Sequence, residues 1–139
     1  MKRYLIFIVG LILFSACSVM KSDGTANHLQ GTRWVLYIID QEILDADSLG
    51  RFLPTLEIDS TGSRVTGNAA CNGYGGIIEL GADSLQFGPL MSTKMACSAL
   101  ELEQRFMRQI NTKTVKYSRK QGNLILYGEE ETLVFHPAE

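Results

Sequence analysis

Three cysteines, Cys17, Cys71 and Cys97, are the side chains of this 139-residue chain best equipped for covalent chemistry. A thiol nucleophile needs an electropositive neighbourhood and usually a histidine base. The two histidines, His28 and His136, lie far along the chain from both later cysteines. Cys71 and Cys97 also lack the paired C-x-x-C spacing of structural zinc sites. No catalytic residue and no metal site are therefore expected. Two readings of the pair stay open. In an oxidising compartment they can form one disulfide, closing a loop of about 25 residues and stabilising the fold by roughly 3 kcal/mol in the chain-entropy model. Otherwise they are two buried thiols that behave as small hydrophobes.

Cys17 stands in a different context. Lys2 and Arg3 form a positive amino end, and residues 4–14 hold only apolar residues, one Tyr and one Gly. A membrane-spanning helix needs about 20 consecutive apolar residues, and this run stops at Ser15, so it reads as the apolar region of a signal peptide. Residues 13–17 (Leu, Phe, Ser, Ala, Cys) resemble a lipobox. The expectation is a lipoprotein signal peptide over residues 1–16, acylation at Cys17 and a lipidated flexible tether over residues 17–30, followed by one domain over residues 31–139. Loss of Lys2 and Arg3 would leave a mature formal charge of about −4, with no basic stripe for nucleic acid.

Among polar residues Asn72 is conspicuous, because it sits in the glycine-rich run Gly67, Gly73, Gly75, Gly76. It either bonds its own backbone to hold a turn or meets a ligand at a loop rim. Asn72 and Tyr74 are accordingly the candidate binding residues. Tyr74 also reads, with Trp34, Phe87 and Phe106, as core. The acids of residues 40–53, with Asp45 and Asp47 before Gly50, suit a long solvated loop or a short irregular helix. They lack the closing glutamate of a calcium loop, and no cofactor is expected.

These residues need elements to hold them. Residues 33–39 are aromatic and β-branched and read as a strand buried on both faces. Residues 55–59 and 64–67 form a hairpin around a turn at 60–63, residues 77–80 and 84–87 another, and residues 114–119, 123–127 and 132–136 close the chain as three strands. The glycines between imply tight backbone geometry or positive φ. Ser98 and Glu101 have capping-box spacing, and Leu102, Phe106 and Ile110 recur every four residues, so one helix runs from about 98 to 111, with Glu101 and Arg105 able to pair across a turn. The fold expected is α+β: a small curled antiparallel sheet or partly open β-barrel with one helix packed on its face or plugging one end.

Read together, Trp34, the run Gly67 to Gly76 containing Cys71, Asn72 and Tyr74, the run Ser92-Thr93-Lys94-Met95-Ala96-Cys97, and then Glu103 and Phe106, resemble the META/HslJ family over nearly the whole domain. The resemblance implies a small β-rich domain with one helix, exported, often lipid-anchored, and associated with envelope stress and with resistance or motility rather than a defined reaction. Two functions of different class follow. One is a non-catalytic module of the bacterial envelope, a monomer anchored by lipid, most simply at the outer membrane, that binds a protein partner or an apolar ligand. The other is a hydrolase using carboxylates of the 40–53 loop.

Overall fold

The computed structural model describes residues 29–139. Cys17, residues 1–16 and residues 17–28 of the expected tether lie outside the described residues. Packing begins earlier than residue 31: Leu29 is buried in the core, and its carbonyl accepts the indole Nε1–H of Trp34 at 3.3 Å.

Strand β1, Arg33–Ile39, places Trp34 and Leu36 inward and leaves Val35 and Tyr37 half-buried. The expectation of burial on both faces arose because a bulge between Leu36 and Ile38 reverses the side-chain phase, so that Ile39 also turns inward. The acidic stretch that follows holds β2, Glu42–Ile43, the one-turn helix α1, Ala46–Leu49, and a 3₁₀ turn, Gly50–Phe52. Asp45 caps α1 by accepting the Asp47 N–H at 3.0 Å.

The chain continues through β3 Thr55–Ile58, β4 Arg64–Asn68, β5 Gly73–Leu80, β6 Ser84–Phe87, β7 Met91–Ser92, α2 Leu100–Ile110, β8 Thr114–Lys120, β9 Asn123–Tyr127 and β10 Thr132–Pro137. The β3–β4 turn is built by Asp59, whose Oδ1 accepts the Ser63 and Arg64 N–H groups while Oδ2 accepts the Thr61 hydroxyl. Those bonds, the Thr61 hydroxyl first, hold its carboxyl below the usual range.

Eight strands form a ring in chain order: β1, β3, β4, β5, β6, β8, β9, β10. All neighbouring pairs are antiparallel, and β10 returns to β1, with Trp34 opposite Pro137 and Leu36 opposite Phe135. The barrel is thus closed rather than partly open, and it carries two helices rather than one. Closure leaves no free edge among these eight strands. The small strands β2 and β7 pair with β1 and β5 outside the ring order. Glycine is needed for close approach, not for φ: a Cβ on Gly67 would fall 2.0 Å from the Thr55 carbonyl oxygen, and one on Gly76 would fall 2.8 Å from Leu90. Of the four glycines in that run, none has positive φ; Gly62 in the β3–β4 turn does.

Helix α2 plugs one end. Its buried face is Leu102, Phe106, Gln109 and Ile110. The Phe106 ring lies 5.7 Å from that of Tyr74 on β5 and 6.4 Å from that of Phe135 on β10. Those strands stand half-way round the ring from each other, so Phe106 sits near the barrel axis. Two expectations for the helix are corrected. Its N-cap is Ala99, with no side-chain cap, and the capping box of Ser98 and Glu101 does not form. Arg105 turns from Glu101 to Glu131, bonding Oε1 through Nε at 2.9 Å and Nη2 at 2.7 Å, and to Glu42 through Nη1 at 2.6 Å. A half-buried, two-point carboxylate outcompetes an exposed one on the same helix.

Candidate functional site

The two sequence motifs meet at the helix-plugged end. Cys71, between β4 and β5, and Cys97, just before α2, are joined as a disulfide with Cα atoms 5.6 Å apart. Beside it Asn72 is only 2% exposed. Its Nδ2 donates to the Met95 carbonyl at 3.0 Å and to Glu103 Oε1 at 2.7 Å, and its Oδ1 accepts the Met95 N–H at 2.7 Å and the Thr93 hydroxyl at 2.8 Å. Every hydrogen-bonding position of the amide is used within the protein. Glu103 Oε2 in turn accepts the N–H groups of Cys71 at 2.9 Å and Asn72 at 2.8 Å. One carboxylate on α2 therefore satisfies a turn that has no strand partner of its own.

Tyr74 is 5% exposed, and its hydroxyl donates to the Thr55 carbonyl at 2.9 Å. Asn72 and Tyr74 were each read two ways, as binding residues at a loop rim or as structural residues holding a turn and filling the core; the structure places both inside, their polar atoms committed. Asn72 does not bond its own backbone either: its side chain reaches the loop before α2. Glu103 is the residue whose role the sequence did not disclose. It appeared there only as part of a resemblance, because a carboxylate at helical spacing looks like any solvated helix position.

Burial pushes the Tyr74 hydroxyl far above the ordinary tyrosine value. An unfolded chain releases this proton near pH 10 whereas the folded chain keeps it, so above that pH the unfolded state binds fewer protons and stability falls. Melting temperature is expected to drop as pH rises beyond about 10, and Tyr74→Phe is expected to flatten that part of the profile. An unchanged alkaline slope in Tyr74→Phe would show that another group sets it.

Two of the four acids in residues 40–53 have partners within the protein: Asp45 caps α1, and Glu42 pairs with Arg105. Among the described residues no three His, Cys, Asp or Glu side chains cluster as a metal-ligand set.

The outer face of β5 is different in character. Gly73 and Gly75 present bare backbone there, flanked by Ile77 at 67% exposure and by Met91 of β7 at 82%. A groove of about 360 Å³ runs between Arg64, Thr66, Gly75, Ile77, Pro89 and Met91. A second hollow, of about 400 Å³, adjoins it across Met91, with Gly73 and Thr93 in its wall. Two large apolar side chains thus stand exposed beside a concave floor.

Comparison with known proteins agrees with this architecture. A protein from Burkholderia xenovorans, solved by NMR, is 25% identical, with a TM-score of 0.65 over 81% of this chain and 86% of that one. A second NMR structure, 20% identical, gives a TM-score of 0.67 over 81% of this chain and 93% of its own, and supports the fold. Comparison with curated proteins gives no match. The family described as META domain matches residues 27–139, covering the two cysteine motifs, the barrel and its plugging helix. The chain belongs to the META domain family.

Proposed function

We propose that this is a non-catalytic module of the bacterial envelope, anchored through a lipid on Cys17, that binds a protein partner or an apolar ligand on the outer face of its barrel and supports the envelope under stress. One observation carries the reading. The barrel interior is filled by side chains such as Trp34, Leu36, Phe87, Phe106 and Phe135, while Ile77 and Met91 stand exposed over a glycine floor. A filled barrel offers no internal ligand chamber, so recognition falls to the surface.

Replacing Ile77 and Met91 together by Lys is expected to leave the melting temperature within a few degrees of the parent, because exposed substitutions change stability by about 0.5 kcal/mol or less. The same double variant is expected to fail an envelope-stress survival assay. Survival equal to the parent would remove the groove from the function. For the anchor, metabolic labelling with palmitate is expected to mark the chain and to vanish in Cys17→Ala; equal labelling of both would overturn it.

A further inference from the structure

We propose that the Cys71–Cys97 bond is a thiol–disulfide exchange site, opened by an external thiol that attacks Cys71 and expels Cys97. The inference does not depend on the outer-face groove. Both cysteines are only half-buried, and a hollow of about 310 Å³ lies over them, lined also by Arg51, Phe52, Asn68 and Met95. The hollow gives an external thiol a place from which to approach the bond.

The two sulfurs have unequal surroundings. Cys97 Sγ accepts the N–H of Ala99, the N-cap of the eleven-residue helix α2, at 3.3 Å. That contact stabilises negative charge on Cys97 and makes it the better leaving group. The backbone N–H of Cys71 is instead spent on the Glu103 carboxylate, which brings negative charge to that side. One other charge lines the site. Arg51 lines the hollow, and Lys94 and Glu101 flank Cys97 in the sequence, both exposed. Arg51 favours an approaching anion.

Exchange then runs as follows. An external thiolate attacks Cys71 Sγ, a new S–S bond forms, and the Cys71–Cys97 bond breaks with its electron pair passing to Cys97 Sγ. A second external thiolate attacks the outer sulfur of the mixed disulfide and leaves as the oxidised external disulfide. Cys71 is released as thiolate and takes a proton from water. The protein gains two electrons, and the reductant is a thiol of the glutathione class.

The fold is built to survive this. Asn72 and Glu103 tie the turn after β4, the loop before α2 and the helix together through six hydrogen bonds that involve no sulfur. Opening the disulfide removes one of two independent fastenings.

The test uses the mature chain in its oxidised form. After brief exposure to glutathione and an acid quench, peptide mapping is expected to find glutathione on Cys71 and a free thiol at Cys97. In the fully reduced chain, which should keep its circular dichroism, Cys97 is expected to be alkylated faster than Cys71 at neutral pH, because its sulfur faces the Ala99 N–H. Arg51→Gln, an exposed change, is expected to slow reduction by anionic glutathione roughly two- to fivefold relative to neutral 2-mercaptoethanol. Glutathione on Cys97, equal alkylation rates for the two thiols, an unchanged reagent ratio in Arg51→Gln, or unfolding on reduction would each overturn the proposal.

Discussion

Phe106→Ala is expected to destabilise the domain by about 3 to 5 kcal/mol, the cost of deleting a fully buried aromatic side chain and leaving a cavity. The site cannot collapse easily. Phe106 has no exposed surface and stands between Tyr74 and Phe135, which belong to opposite walls of a closed barrel. Hydrogen-bonded strands fix those walls, so neither ring can follow the missing one inward. Urea unfolding of parent and variant measures the difference, and any loss of function should track it. A variant that unfolds like the parent yet fails the survival assay would make α2 a working surface instead of a plug.

Asn72→Ala is expected to cost about 3 kcal/mol although it removes no apolar core. It strands the Thr93 hydroxyl, the Met95 N–H and C=O, and one oxygen of Glu103 at once. A buried polar group left unmet costs about 1 to 3 kcal/mol, and because Thr93 and Met95 belong to an exposed loop, water recovers part of the sum. Adding Glu103→Gln should cost much less than it does alone, because both substitutions damage one network. Asn72→Asp should behave differently: a second carboxylate placed against Glu103 repels it, and its folded-state protonation is favoured over the unfolded one. That variant is expected to regain stability as pH falls through the carboxylate range. Additive losses in the double variant, measured by urea unfolding, would show that the two side chains act separately.

What the sequence disclosed follows from what is local. Strands β3, β4, β6, β8, β9 and β10 carry short alternating runs between turn residues, and the stripe of Leu102, Phe106 and Ile110 identified α2, because these patterns depend on neighbours a few positions away. Closure was not legible, since whether β1 meets β10 is decided by accumulated twist and by close contacts such as that of Gly67 with Thr55. The bulge in β1 made an alternating strand look wholly buried. At the helix start, Ser98 and Glu101 had the right spacing for a cap, but the helix begins one residue later, with Ala99 as its N-cap. The partners of Asn72 and Glu103 are 21 to 32 residues away in sequence, beyond any local pattern. A resemblance could name those residues without saying what they hold.

The seam between β1 and β10 sets the order in which the domain can be completed. Most ring contacts join strands linked by short turns, whose loop-closure cost is small. The seam joins the first strand to the last across about a hundred residues, so it must form late, and a chain emerging amino end first leaves one edge of β1 open until Thr132–Pro137 is available. Until then both β1 and β9 present open edges along which another copy could add. The last six-residue strand thus acts as the closing stave, and losing even part of it would convert a sealed barrel into a template for aggregation.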